Sequence, residues 1–128
     1  MKNTHLSAQI EAAFPDSVGV LSDVFIEAHP DLSRLVAPVS LQTVVPAYMA
    51  WCARNGHRPA ELVHDYTVSA LAEFGRSKKP ELTHLNFKFN CSPEQRQVVE
   101  RFLRWSLDPA LLLDTKQVER SLKRWSAG

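Results

Sequence analysis

Cysteine is scarce in this sequence, and this limits the compartment in which the protein is expected to work. Only two cysteines occur among 128 residues. Neither Cys52 nor Cys91 belongs to a paired spacing such as C-x-x-C, so a disulfide framework is not expected. Chains that keep their thiols reduced are typical of the cytoplasm. We therefore predict a cytoplasmic protein.

Glycine is also scarce, and its four residues are never grouped. The loops that cradle phosphates in nucleotide enzymes need clustered glycines, as in G-x-x-x-x-G-K or G-x-G-x-x-G. Neither pattern occurs in the sequence, which excludes both of these nucleotide-binding motifs. We expect no cofactor.

A long apolar run is the third missing feature. The longest nearly apolar stretch, Val44 to Ala53, is about half as long as a membrane-spanning helix requires. The segment from Leu6 to Phe14 is interrupted by Gln9 and Glu11, so we expect no signal peptide. From these features we predict that the protein has no membrane partner.

The composition is that of an ordinary globular chain, with 45% apolar and 23% charged residues. No internal repeat or low-complexity tract divides the sequence. A chain of this length can bury one hydrophobic core. Residues 1–128 are therefore predicted to form a single compact helical domain.

Apolar residues recur mainly at helical spacing, which predicts a mostly α fold of about five or six helices. One short extended segment is expected near residues 85–90, where apolar and polar residues alternate with period two. The expected helices are His5–Phe14 capped by Thr4, Gly19–His29, one ending at Asn55 before the cap residue Gly56, Pro59–Phe74, one starting after Ser92, and Lys116–Trp125.

Two of these helix starts depend on proline. Ser92-Pro93-Glu94-Gln95 predicts a helix start with Ser92 as N-cap and Gln95 completing a capping box. Pro46 leaves two alternatives for the third helix. With Thr43 as cap, Pro46 lies in the first turn, whereas a start at Leu41 places it inside the helix and requires a kink.

Charge is distributed unevenly along the chain. Residues 1–75 carry four Lys or Arg and eight Asp or Glu, whereas residues 76–128 carry eleven and six. The two parts therefore have net charges of −4 and +5, which agree with the total of +1. Such asymmetry favours association with charged partners and says little about the fold.

The last predicted helix carries the candidate binding site. Its basic residues recur at helical spacing and form a stripe that can face an acidic protein or phosphates. Such a stripe is most often only a solvated face, and the functional interpretations are a protein partner first and nucleic acid second. The stripe consists of Lys116, Arg120, Lys123 and Arg124.

Catalytic and metal-binding interpretations are weaker. The residues considered as metal ligands are Cys52, His57 and His64, with Asp65, His84 or Cys91 added by folding. No pair of them has the i, i+4 spacing of ligands on one helix, so we predict no metal site. A small enzyme could use Cys91 as a thiolate nucleophile or His64 as a general base. Neither residue lies in a recognisable catalytic motif, so we assign no catalytic residue.

Three tracts resemble a family of small bacterial proteins of unknown function that share a P-A-Y-M helix and an F-x-x-x-P-E-Q helix start. They are Val45 to Trp51, Ser69 to Leu71, and Phe89 to Gln95 followed by Phe102 to Trp105. The resemblance implies a bacterial, cytoplasmic protein and supplies no catalytic residues. The chain departs from the family pattern after Leu107, where the basic helix lies.

Three hypotheses follow for function. The first is a non-enzymatic protein-interaction domain, such as an immunity protein or an inhibitor that binds and blocks another protein. The second is a nucleic-acid-associated module that uses the last helix with Arg76, Lys78 and Lys79. The third is a small enzyme of unrecognised type.

Overall fold

A computed structural model describes residues 2–35, 40–56, 62–79, 81 and 86–126. Helices account for most of this part of the chain, and no strand occurs in it, which confirms the predicted mostly α fold. The helices are α1 (Thr4–Ala13), α2 (Asp23–Ala28), α3 (Leu41–Asn55), α4 (Val63–Glu73), α5 (Pro93–Trp105) and α6 (Thr115–Ser126). Short 3-10 turns lie at Pro15–Ser17, Leu32–Arg34, Phe87–Asn90 and Pro109–Leu111.

Helix α3 lies at the centre of the fold because it is apolar on every side. All its residues from Val44 to Ala53 are buried, and it packs against α1 and α4. Two polar groups on α3 are bonded within the core. Tyr48 donates its hydroxyl to the His29 carbonyl at 2.5 Å, and the Trp51 indole donates to the Glu27 carboxylate at 3.1 Å. Among the described helices, none combines the length and the apolar character needed to cross a bilayer.

The start and end of α3 resolve the alternatives left by Pro46. The helix begins at Leu41 after Ser40, so Pro46 lies inside it, and the first-turn alternative is wrong. The carbonyl of Ser40 explains the early start, since it accepts the amide of Val44 at 2.9 Å. Gly56 ends the helix as predicted. Its φ of 66° favours glycine, and its amide donates to Cys52 at 2.8 Å.

Local hydrogen bonds move other predicted boundaries. The α1 cap is Asn3, whose side chain accepts the Leu6 amide at 3.0 Å, and not Thr4. Helix α2 begins later than predicted because the Ser22 hydroxyl caps it by accepting the amide of Phe25. Gly19, the predicted first residue, has a φ of 73°, which lies outside the helical region. The predicted start of α4 at Pro59 lies outside the described residues.

The prediction of an extended segment near residues 85–90 is wrong for residues 86–90, which the structure describes. Phe87–Asn90 forms a 3-10 turn, because the amide of Phe89 donates to Asn86 and the Asn90 side chain also bonds to Asn86. The amide of Lys88 donates to the carbonyl of Phe74 at 3.0 Å. These bonds use the backbone groups that a strand would need for pairing.

The capping box at the start of α5 is present as predicted. The amide of Gln95 donates to the Ser92 hydroxyl at 3.1 Å, and the Ser92 amide donates to the Gln95 side-chain oxygen at 2.8 Å. The remaining amide nitrogen of Gln95 donates to the carbonyl of Ala13 at 3.0 Å. The same side chain therefore caps α5 and ties it to the end of α1.

Helix α6 packs against α4 and α5 through one face. Val118, Ser121 and Trp125 are buried on that face, and the Trp125 indole donates to the carbonyl of Leu71 at 2.8 Å. Near its carboxyl end, the Arg124 carbonyl accepts the Lys88 ammonium at 2.8 Å. A positive charge at this end is favourable because the last carbonyls of a helix carry partial negative charge.

The first prediction concerns the α5 cap. Replacing Ser92 with Ala removes the acceptor of the Gln95 amide and should cost about 1 kcal/mol. In a domain of this size, that loss should lower the melting temperature by several degrees, measured by circular dichroism. An unchanged melting temperature would contradict the structural role of the capping box.

The second prediction concerns the attachment of α6. Ending the chain after Ser121 removes the buried indole of Trp125 and the carbonyl that accepts Lys88. We expect a loss of a few kcal/mol in the free energy of unfolding, measured from denaturant midpoints. Midpoints equal to those of the full chain would show that the end of α6 is not part of the cooperative fold.

Candidate functional site: the basic face of the last helix

The polar face of α6 presents three of the four predicted site residues to solvent. Lys116, Arg120 and Lys123 are exposed on the side of the helix opposite Val118 and Trp125. Their backbone is ordered by the packing of the buried face. The exposed charges are therefore held on a fixed helix and not on a loose tail.

Arg120 contacts an acidic side chain on α4. Its guanidinium lies 3.3 Å from one oxygen of Glu73, and Arg76 lies 2.7 Å from the other. All three side chains are substantially exposed, so these pairs contribute little to stability. Glu73 nevertheless offsets part of the positive charge at this point of the face.

Arg124 differs from the other three because it is half-buried and packs along the protein. Its Cγ lies 3.0 Å from the position that a Cβ at Gly75 would occupy, and Cδ of Lys88 lies 3.4 Å from the same point. Gly75 thus allows the stems of two basic side chains to approach the backbone. Arg124 therefore has a packing role in addition to its charge.

Lys88 is a basic residue of this region that the sequence analysis did not identify. It is only 3% exposed, and its ammonium reaches the end of α6. Burial is the largest cause that lowers its pKa, and the nearby Arg96 guanidinium lowers the pKa further. The sequence signal that could have identified Lys88 is its position between two phenylalanines, Phe87 and Phe89. It was missed because a strand would have turned Lys88 away from both rings.

Lys88 belongs to a cluster of cations around the half-buried ring of Phe89. The charged groups of Lys88, Lys78 and Arg96 lie 5.4, 5.6 and 5.9 Å from the ring centroid. Arg96 is fixed by its Nε, which donates to the carbonyl of Lys88 at 3.0 Å. Residues from three separate segments thus place positive charge at one point.

His64, one of the two residues considered for catalysis, is buried in the core. Its Nε2 lies 2.9 Å from the hydroxyl of Ser106, which donates to the Phe102 carbonyl at 2.8 Å. That hydroxyl therefore accepts from a protonated Nε2. The ring also stacks on Trp105, with centroids 5.1 Å apart. Burial lowers the pKa of His64 to about 3, so the imidazole is neutral and a poor base.

Neither cysteine has the environment of a reactive thiolate. Burial raises the pKa of Cys91 to about 12, although Arg96 lowers it slightly, and burial raises the pKa of Cys52 still further. Both thiols stay protonated near neutral pH. The interpretation of Cys91 as a nucleophile therefore has no support from its surroundings.

The residues considered as metal ligands do not come together where the structure describes them. Within residues 2–35, 40–56, 62–79, 81 and 86–126, no three His, Cys, Asp or Glu side chains form a group that could hold a metal ion. His57 and His84 lie outside these ranges.

Comparison with known proteins gives no family assignment. No protein-family profile matches the chain, and none of the curated proteins or solved structures is significantly similar to it. The resemblance to a bacterial family stays a prediction. Its two main tracts have structural roles here, since Tyr48 bonds to His29 within the core and Gln95 caps α5.

The third prediction concerns the pH dependence of stability. Because folding lowers the pKa of His64 from 6.5 to about 3, the unfolded chain binds a proton that the folded chain does not over this range. Stability from the neutral imidazole is fully present above pH 6.5 and is lost as the pH falls to about 3. The slope is at most about 1.4 kcal/mol per pH unit for one proton.

The matched variant is His64→Gln, which keeps a donor for Ser106 but does not titrate. We expect the difference in unfolding free energy between wild type and variant to shrink as the pH falls from 6.5 to 3. Chemical denaturation at several pH values measures it. A difference that is constant over this range would contradict the buried neutral imidazole.

Proposed function

We propose that this protein is a non-enzymatic interaction domain that binds an acidic protein through the basic face of α6. A bacterial immunity protein, or an inhibitor that acts in the bacterial cytoplasm, would bind another protein in this way. The observation that carries the proposal is the exposure of Lys116 and Lys123 on an ordered helix. Within the described part of the chain, no carboxylate lies within 4 Å of either ammonium.

The attachment of α6 supports this proposal energetically. A charged surface on a fixed helix loses less conformational freedom on binding than the same charges on a flexible tail. Exposed cations add little to folding stability, but they raise the association rate with an acidic partner. The basic face is therefore suited to attract a partner without being needed for the fold.

A nucleic-acid partner is the second candidate, and one observation favours it. Lys78, from the loop after α4, and Arg124, from α6, both lie close enough to Lys88 to affect its pKa. The basic loop and the basic helix are neighbours, since Arg76 and Arg120 contact the same Glu73 carboxylate, and a phosphate backbone could contact both. Binding of an oligonucleotide with a steep salt dependence, measured by fluorescence polarisation, would support this candidate over the first.

The fourth prediction tests the protein partner. After a partner is isolated by co-purification from the native host, the variant Lys116→Glu/Lys123→Glu should associate at least about tenfold more slowly at low salt. The difference should shrink as ionic strength rises, because salt screens both surfaces. Surface plasmon resonance measures the rates, and the melting temperature should stay within about a degree of wild type.

The charge-matched control is Lys2→Glu/Arg101→Glu. Arg101 lies on the side of α5 that faces α1, beside Ala12 and Ala13, and both control residues are exposed. We expect this control to associate nearly as fast as wild type. Equal losses in both variants would indicate a net-charge effect. Undiminished binding by the α6 variant would contradict this interface and favour the acidic N-terminal region around Asp16, Asp23, Glu27 and Asp31.

A further inference from the structure

The cation cluster around Phe89 has more positive charge than an aromatic ring alone explains. Three charged groups, from Lys78, Lys88 and Arg96, lie over this ring. A phenylalanine ring has two faces, so at least two of the three cations share a face. A cation over a ring gains about 0.5–1 kcal/mol at an exposed site, and each further cation adds repulsion from the others.

A fourth basic side chain, Arg124 of α6, lies beside Lys88. The stems of Arg124 and Lys88 lie side by side against Gly75, and the Lys88 ammonium bonds to the Arg124 backbone. The loop after α4, the 3-10 turn, α5 and α6 thus each contribute one basic side chain. This convergence is tertiary, because α6 brings Arg124 back to the three basic residues of the segment from 78 to 96.

Negative charge near the cluster is limited. Glu100 acts on Lys88, whose pKa it raises, but its carboxylate also lies 4.0 Å from Arg104. Among the residues described, no carboxylate lies within 4 Å of the charged groups of Lys78, Arg96 or Arg124. Among the charged side chains of the described residues that act on Lys88, Glu100 is negative and Lys78, Arg96 and Arg124 are positive, which leaves a local excess of positive charge.

The size of this excess favours a doubly charged ligand over a carboxylate. A carboxylate brings one negative charge, whereas a phosphate group near neutral pH brings close to two and has three acceptor oxygens. Lysine ammonium groups bind phosphate as point charges, and guanidinium groups bind it through paired N–H donors. Both types of group are present in this cluster.

We propose that Lys78, Arg96 and Arg124, with the buried ammonium of Lys88 adding positive charge behind them, form a binding site for a phosphate group, either free or as a phosphomonoester on a small molecule. The site needs no partner protein and does not use Lys116 or Lys123, on which the proposed protein interface rests. It shares Lys78 and Arg124 with the nucleic-acid candidate. Arg96, held in place by the carbonyl of Lys88, supplies paired donors at the centre of the site. Lys78 is exposed and lies on the solvent side of the site.

The fifth prediction tests this site with inorganic phosphate as the probe and the full chain. Phosphate at low millimolar concentration, too dilute for the general stabilisation by kosmotropic anions, should raise the melting temperature more than sodium chloride of equal ionic strength, because a ligand of the folded state adds stability. Titration followed by ¹H–¹⁵N NMR should shift the amides of Lys78, Phe89 and Arg96. Equal effects of phosphate and chloride would overturn the proposal.

Matched variants separate a built site from a general positive field. Arg96→Gln and Lys78→Gln should each weaken phosphate binding about tenfold, the effect of losing one charged hydrogen bond. Arg101→Gln removes the same charge from the other side of α5 and should leave the affinity unchanged. Equal weakening by all three variants would overturn the site in favour of a long-range field. Because exposed Lys78 has no role in the core, its variant tests the site even if Arg96→Gln is unstable.

Glycerol phosphate distinguishes the two sources of the group. Tighter binding of glycerol phosphate than of inorganic phosphate identifies the ligand as a phosphomonoester, and the reverse order identifies the free ion. No binding of either probe at millimolar concentration, while the wild-type chain is folded, would overturn the proposal. Failure to find a protein partner would not affect these results.

Discussion

The attachment of α6 to the rest of the fold is the interaction on which the candidate sites depend. Two hydrogen bonds hold the carboxyl end of the helix. The Trp125 indole donates to the carbonyl of Leu71 in the core, and the Lys88 ammonium donates to the carbonyl of Arg124. An indole or an ammonium that is buried without an acceptor is costly, so these contacts favour one position of the helix. That position sets the direction in which the basic face points.

Lys88 shows how the fold and the charge of the surface are connected. The 3-10 turn at Phe87–Asn90 places Phe87 in the core beside Trp125, with ring centroids 5.8 Å apart. The next residue then reaches the end of α6, and Phe89 meets the surrounding cations. Three consecutive side chains thus serve the core, the helix end and the surface in turn. A one-residue shift of this turn would disturb all three contacts.

The sequence predicted those elements whose signals are local. Ser92 and Gln95 cap α5 with atoms three residues apart, and Gly56 ends α3 through its own backbone angle. The turn at residues 86–90 could not be predicted, because alternation of apolar and polar residues suits a strand as well as a turn with one buried phenylalanine. Its shape depends on Lys88 bonding to Phe74, a contact that no spacing reveals. The phosphate site was missed for the same reason, whereas the α6 stripe lies on one helix and was visible.

The lowered pKa of Lys88 connects stability with anion binding. Burial and neighbouring cations disfavour the protonated ammonium, so the folded chain holds this proton less strongly than the unfolded chain does. The stability of the fold therefore increases as the pH rises from the folded to the unfolded pKa of Lys88. Below both pKa values, the full cost of burying the Lys88 charge is present. An oxyanion beside Phe89 lowers this cost because an opposite charge favours the ammonium. Since the same ammonium holds the end of α6, an anion that binds the cluster also strengthens the attachment of the helix.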